Sequence, residues 1–126
     1  MHATRNELPV MLQAGDASIR GAEWGEMRVA LVSVPAGTDF SPLLMGLPND
    51  RCQGPHWGYV LKGRLRIQYA QGEEVISGGD FYYLPPDHTG IAEEDTDFLE
   101  VVPPHLHQQF LDAAAANLAA MQPQAT

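Results

Sequence analysis

Short segments in which apolar and polar residues alternate make up most of the chain between residues 27 and 102. In segment 65–69 apolar side chains occupy every second position, which is the period of a strand with one buried face. Glycine and proline separate the segments, and residues 70–72 predict a hairpin turn. The predicted strands are 27–34, 57–61, 65–69, 73–76, 81–84 and 97–102. Short strands at this spacing predict an all-β, antiparallel sandwich or barrel.

Two segments depart from this strand pattern. Residues 38–53 contain two prolines and no clean period, so we expect a long loop over the mouth of the barrel. Residues 107–121 are rich in alanine, with apolar side chains at helical spacing. They predict a C-terminal helix, packed on the outside of the barrel or in a dimer contact. We therefore expect a single domain, 1–126, with a barrel core at about 26–103 and an N-terminal strand extension.

The composition restricts the classes of function. A chain of 126 residues with 44% hydrophobic residues has room for one domain with one packed core. Its formal net charge of −9 argues against nucleic acid and anionic membranes as partners, because such contacts need lysine and arginine. No apolar run is long enough to span a membrane, and the first residues lack the features of a secretory signal. A single cysteine suits a reducing compartment, so we expect a cytoplasmic protein.

Two stretches of the chain resemble the motifs of the cupin superfamily. PHWGYVLKG at residues 55–63 is similar to the end of the first cupin motif, and GDFYYLPPDH at residues 79–88 is similar to the second. The short spacer between them, residues 64–78, is typical of small single-domain bacterial members. The resemblance implies a cupin-type double-stranded β-helix, or jelly-roll barrel, with a C-terminal α-helix. A fold of this kind does not by itself define a function.

The resemblance also implies positions for metal ligands, although the residue types differ from the family pattern. Cupins usually hold a divalent metal with two histidines and a glutamate from the first motif and one histidine from the second. Counting back seven residues from Gly63, the position of the family's glutamate falls on His56. With the shorter form of the spacing, the positions of the two histidines fall on Asp50 and Cys52.

The second motif contributes a histidine that is displaced along its strand. The family's histidine position falls on Gly90, and His88 stands two residues earlier, on the same face of a strand. The implied ligands are therefore Cys52, His56 and His88, with Asp50 as an additional ligand. Thiolate and imidazole suit zinc, whereas a carboxylate ligand also suits iron or manganese, and nickel is a further alternative. Each of these residues also has a purely structural alternative. The two histidines would be hydrogen-bonded residues of the cavity, Cys52 a small buried residue, and Asp50 an ordinary turn residue.

Four further side chains are candidates for the wall of a ligand cavity. Trp57 follows His56 and would either line a pocket or pack into a core on the opposite face of the sheet, and we favour core packing. Tyr69 and Tyr83 are candidates for the core or the cavity wall. Glu100 is either the outward residue of an edge strand or an acid inside the cavity near the metal, because a buried, unpaired carboxylate is costly.

His105 and His107 form an HxH pair just after the last predicted strand. Such a pair looks like a metal motif, but it follows two prolines and leads into the C-terminal helix. In a simple cupin arrangement this position is outside the barrel. We therefore expect a surface role for both histidines.

The preferred functional hypothesis is a small cupin that binds a divalent metal in its cavity and binds or acts on a small organic molecule there. If the protein is catalytic, the metal would polarise a carbonyl or carboxylate oxygen or activate a water molecule. The alternatives are a non-enzymatic module that senses a small ligand or a metal, and a metal-free scaffold. The resemblance also implies a homodimer.

Overall fold

The computed structural model describes residues 1–121 as two antiparallel β-sheets and one helix. The strands are β1 Val10–Ala14, β2 Ala17–Trp24, β3 Met27–Val34, β4 His56–Lys62, β5 Arg64–Tyr69, β6 Gly72–Ser77, β7 Phe81–Leu84, β8 His88–Ala92 and β9 Thr96–Val102. The helix α1 spans Pro104–Met121, and short 3-10 turns span Arg5–Glu7, Ser41–Leu44 and Pro48–Asp50. Within this part of the chain, α1 and the turns lack the length and hydropathy needed to cross a membrane.

The two sheets enclose one hydrophobic core. The larger sheet has the strand order β1-β2-β3-β9-β4-β7, and the smaller has the order β6-β5-β8. Burial alternates strictly along β3 and β9, so every second side chain of these strands points into the core. Val32 and Phe98 of the larger sheet belong to the same buried cluster as Leu65 and Ile67 of the smaller one. This arrangement confirms the predicted all-β jelly-roll fold with a C-terminal helix.

The segment expected to be a long loop is ordered by contacts with the smaller sheet. It contains the two turns Ser41–Leu44 and Pro48–Asp50, and isolated bridges join Asp39 to Ile91 and Cys52 to His88. Strand β8, which was not among the predicted strands, is the partner in both bridges. The loop is therefore held across β8 at the edge of the core.

Helix α1 begins at Pro104, three residues earlier than expected, because proline is well accommodated in the first turn of a helix. Its buried residues include Phe110, Leu111 and Ala114, which belong to the core cluster. The side-chain amide of Asn117 donates hydrogen bonds to the carbonyl oxygens of Leu43 at 2.8 Å and Met45 at 2.9 Å. The helix is thus packed against the loop and contributes to the core.

The packing of α1 predicts a difference between two neighbouring alanines. Ala114 is completely buried, whereas Ala115 is exposed, and leucine is a good helix former at both positions. We expect Ala114→Leu to lower the free energy of unfolding by about 1–3 kcal/mol through overpacking. Ala115→Leu is the matched control and should change it by less than about 0.5 kcal/mol. Urea denaturation measures both, and equal effects would contradict the docked position of the helix.

Candidate metal centre

Cys52, His56 and His88 come together from three separate elements of the fold. Cys52 lies at the end of the loop, His56 opens β4 and His88 opens β8. Their ligand atoms all lie within 4.8 Å of one another. The backbone amide of Cys52 donates to the carbonyl of His88 at 2.8 Å, and the amide of His88 donates back at 3.2 Å. This pairing places the thiol beside the second histidine.

The ring of His56 is oriented by Glu100. Its Nδ1 lies 2.9 Å from the Glu100 carboxylate, and its Nε2 lies 3.6 Å from Cys52 Sγ. The hydroxyl of Tyr82 donates to the same Glu100 oxygen at 2.8 Å. Because the carboxylate accepts from Nδ1, the other ring nitrogen is directed to the thiol.

Gly58 allows this group of side chains to form. In the register of the larger sheet, Gly58 on β4 pairs with Tyr82 on β7 and with Glu100 on β9. A Cβ atom at this position would overlap with the Tyr82 ring and with the carbonyl of Leu99. The absence of a side chain on the middle strand therefore lets Tyr82 reach across it to Glu100.

His88 is fixed in a tautomer that suits a metal ligand. Its Nδ1 lies 2.7 Å from the carbonyl oxygen of Pro85, which can only accept, so Nδ1 carries the proton. When the ring is neutral, the lone pair is therefore on Nε2, which is the atom that can bind a metal. The ring centroid lies 4.8 Å from that of His56, with the ring planes at 78°. Both histidines thus use one nitrogen for a supporting contact, as metal-binding histidines usually do.

The cluster favours a thiolate. Burial raises the pKa of the Cys52 thiol, but hydrogen bonds and charges from His56 and His88 outweigh it and lower the pKa to about 6. Burial lowers the pKa of His56, but the charge of Glu100 and the hydrogen bond with Cys52 raise it to about 10. Metal binding requires the deprotonated thiol, which is favoured here, and a neutral His56, so a metal would displace the proton from His56 Nε2.

Glu100 and Tyr82 complete the charge distribution. Burial raises the pKa of Glu100, but the charge and hydrogen bond of His56 and the hydroxyl of Tyr82 lower it overall, so the carboxylate is ionised. Burial and the Glu100 charge raise the pKa of Tyr82, which keeps the phenol protonated as a donor. The carboxylate is only 4% exposed, and its partners offset the cost of burying it.

The donor set fits a divalent metal ion. Metal–ligand distances of about 2.0–2.3 Å in a tetrahedral zinc site separate the ligand atoms by about 3.3–3.8 Å. Cys52 Sγ and His56 Nε2, at 3.6 Å, are within that range. The longest separation, up to 4.8 Å, exceeds it by about 1 Å, which small side-chain rotations can close. Three protein ligands leave a fourth position for water or a ligand.

A cavity between the sheets adjoins the cluster. Its volume is about 70 Å³, enough for a few water molecules or for one end of a small organic molecule, and it opens to solvent. Most lining side chains are apolar, among them Phe40, Ile67 and Phe98. The polar lining comprises Cys52, His56, His88, Thr89, Glu100 and His107.

Two of the expected site residues lie away from the cluster. Asp50 is exposed, and its carboxylate accepts a hydrogen bond from the Gly46 amide at 2.9 Å, as a turn aspartate does. Tyr69 donates to the exposed carboxylate of Glu74 at 2.7 Å and lies outside the cavity lining. The structure thus places Asp50 away from the ligand cluster, contrary to its expected role as an additional ligand. Of the two alternatives for Tyr69, it packs against the core and does not line this cavity, contrary to its expected role there.

Trp57 and Tyr83 form a pair on the outer face of the larger sheet. They are directly opposite each other on β4 and β7, with ring centroids 5.3 Å apart. Their exposed fractions are 47% and 49%, so neither lines the cavity and the prediction that they do so is wrong. Core packing of Trp57 is also wrong, because the face opposite His56 is covered by no other layer of the described chain.

Glu100 and His107 both lie inside the fold. Glu100 lines the cavity and is not an outward residue of an edge strand, because β9 is a central strand between β3 and β4. His107 was expected at the surface but is only 3% exposed and lines the cavity, since α1 packs across this end of the sheets. His105, on the other face of the helix, is exposed as expected.

Comparison with solved structures supports the cupin fold. An RmlC-like cupin from Shewanella frigidimarina matches with a TM-score of 0.59 at 12% identity, over 81% of this chain and 88% of that one. KdgF from a Halomonas species also matches with a TM-score of 0.59, at 18% identity over 80% and 92% of the two chains. An HTH_3 family transcriptional regulator from Vibrio cholerae matches with a TM-score of 0.51 at 10% identity, over 70% and 51%.

At these identities the likeness shows the fold alone, and proteins with different descriptions share it. No protein-family model and no curated protein sequence matches the chain. The structure therefore defines a chain with the fold of a small cupin and a Cys-His-His cluster beside its cavity. The function has to be argued from the site.

The charge state of Cys52 can be tested on metal-free protein. We expect the thiolate absorbance at 240 nm to rise through about pH 6 instead of near the ordinary thiol value of 9.0. Since the pKa is lower in the folded state, the thiolate stabilises the fold fully above pH 9.0, and this is lost as the pH falls through about 6. Cys52→Ser should abolish the step, and a step near pH 9 in the wild type would contradict the geometry.

Proposed function

We propose that this protein binds one divalent metal ion, zinc in the first place, through Cys52, His56 and His88, and that a small organic molecule occupies the adjoining cavity. The observation that supports this most directly is the convergence of three ligand atoms within 4.8 Å. Glu100 and the Pro85 carbonyl orient the two imidazoles from behind.

Zinc is preferred over iron, nickel and manganese because of the donor types. A thiolate and two imidazoles suit zinc, whereas manganese favours carboxylate ligands, as do many iron sites. Asp50, the carboxylate that the sequence offered, lies outside the cluster. Glu100 is engaged by His56 and Tyr82 and supports the site without being part of the ligand cluster.

The arrangement of side chains favours chemistry on an oxygen atom of the bound molecule. When bound, a metal with an open position supplies Lewis acidity toward such an oxygen or toward water. The apolar cavity wall restricts access of water, which strengthens electrostatic interactions inside. The proposal includes both a metal-dependent enzyme and a module that binds its ligand without turnover, and a product assay on a bound compound separates the two.

The first experiment is elemental analysis of untagged protein. We expect about one equivalent of zinc per chain, because three protein ligands with supporting contacts are in place. Cys52→Ala, His56→Ala and His88→Ala should each remove most of it. His105→Ala, which changes an exposed histidine of α1, is the control and should retain full zinc. Unchanged zinc in both His56→Ala and His88→Ala would show that the metal is elsewhere.

Glu100 should affect zinc affinity without being a ligand. We expect Glu100→Gln to weaken zinc binding by about 10–100-fold, because a neutral amide no longer raises the basicity of His56. The matched control is Asp50→Asn, an exposed acid from the same region, which should leave affinity within about twofold. Competition with a chromogenic chelator measures both. Equal effects of the two variants would remove Glu100 from the site.

A second candidate function is metal-free thiol chemistry. Cys52 Sγ lies 3.6 Å from His56 Nε2, and His56 Nδ1 lies 2.9 Å from the Glu100 carboxylate. This is the sequence of contacts found where a nucleophile, a base and an orienting carboxylate act together. The lowered pKa of Cys52 favours a reactive thiolate. Elemental analysis decides between the candidates, because a thiol bound to zinc is not free to act as a nucleophile. Protein that retains no metal after incubation with zinc, iron, nickel and manganese would favour the thiol.

A further inference from the structure

His107 on α1 is a buried polar residue that the metal centre does not use. Its side chain lines the cavity together with His56 and Glu100. The hydrogen bond found for its ring within residues 1–121 joins Nδ1 to the Arg28 guanidinium at 3.1 Å. The nitrogen on the other side of the ring, Nε2, has no protein partner in that range.

Arg28 determines the tautomer of this histidine. A guanidinium has only donors, so His107 Nδ1 must accept, and the proton of the neutral ring lies on Nε2. Arg28 is itself held in place by an ion pair with Glu23 and by a hydrogen bond to the Gln108 side-chain oxygen at 3.2 Å. It is only 6% exposed, so it cannot easily turn away.

Burial and the nearby charge of Arg28 keep His107 neutral. Burial lowers its pKa most strongly, and despite the opposing effect of Glu100 the pKa is about 4. The geometry and the charge state therefore agree on a neutral imidazole with an Nε2–H donor.

The other polar side chains of the cavity wall are already engaged. Thr89 Oγ1 is hydrogen-bonded to the Ser41 hydroxyl at 2.8 Å, and His88 donates from Nδ1 to the Pro85 carbonyl. His56 contacts Glu100 and Cys52 with its two nitrogens. The rest of the wall is apolar, so the Nε2–H of His107 is a donor available to a ligand. His107 Nε2 is not among the fully buried polar atoms without a partner, so it is open to the cavity, and a ligand oxygen that accepts from it in these mostly apolar surroundings gains affinity.

We infer that His107, held by Arg28 as the Nε2–H tautomer, donates a hydrogen bond to an oxygen of the cavity ligand, which is a small molecule with an apolar body and a carbonyl or carboxylate group. This rests on the proposed function in that the same cavity beside the metal centre holds the ligand. His107 is then a binding residue, and Arg28 is a positioning residue that acts through it.

The tautomer is measured directly by long-range ¹⁵N–¹H correlation of the histidine rings. We expect His107 to be the Nε2–H tautomer and not to titrate between pH 6 and 8. Arg28→Met should release this constraint, so that the ring shows both tautomers or begins to titrate, a change that lost packing alone would not cause. An Nδ1–H tautomer or a charged ring in the wild type would overturn the inference.

Ligand preference is tested with benzoate, acetophenone and toluene as probes of similar size on zinc-loaded protein. We expect the two oxygen-bearing probes to shift the ¹⁵N resonance of His107 Nε2. His107→Phe should weaken their binding by about tenfold and change that of toluene by less than about twofold. His107→Gln, which restores an N–H donor, should recover most of the loss. Benzoate against acetophenone distinguishes a carboxylate from a carbonyl ligand.

The outcomes separate this inference from the proposed function. Zinc content is measured for each variant, and His107→Phe should retain the wild-type amount because His107 is not among the metal ligands. If the wild type takes up no zinc, the proposed function fails, and the same probes on metal-free protein still test His107. No shift with either oxygen-bearing probe, or an equal loss of toluene binding in His107→Phe, would overturn the inference.

Discussion

The site depends on one buried carboxylate. Glu100 stands in the middle of the central strand β9, points between the sheets and remains ionised because His56 and Tyr82 both contact it. An unpaired charge at this depth would cost several kcal/mol, so its partners have to be held accurately. Gly58 makes this possible, since a side chain there would separate Tyr82 from Glu100. The orientation of His56, and through it the position of the Cys52 thiol relative to an imidazole nitrogen, follows from this contact.

Charge alternates along the chain of contacts that starts at Glu100. The carboxylate favours a positive charge on His56, and His56 in turn favours a negative charge on Cys52. Burial alone would have produced a neutral thiol, as it does for most free cysteines. A metal cation bound between the Cys52 thiolate and the His56 ring would take the place of the ring proton. A positive charge would then still lie between the two negative groups. The same side chains therefore account for the proposed metal site and for the thiolate of the metal-free protein.

The cavity wall is mostly apolar, and the side chains that could bind a metal or a ligand oxygen lie at two places. At one place is the Cys52, His56 and His88 cluster, and at the other is His107 backed by Arg28. Arg28 is an expensive residue to bury, and its Nε–H has no partner among the described residues. An apolar side chain at position 28 would pack at a lower cost in free energy. The presence of Arg28 is therefore consistent with a role in orienting His107 toward a ligand.

The strand pattern follows from the sequence alone, because alternation along a strand is a local property. The resemblance to the cupin motifs implied the fold and the candidates Cys52, His56 and His88, whose clustering joins three separate elements of the fold. Which strand is central, and which face of a segment is covered, depend on contacts between distant parts of the chain and are visible only in the folded molecule. Glu100 lies inside because β9 pairs on both sides, and Trp57 and Tyr83 lie outside because no further layer covers that face. His107 was misplaced for the same reason, since its burial depends on where α1 packs, which is a contact between residues far apart in the chain.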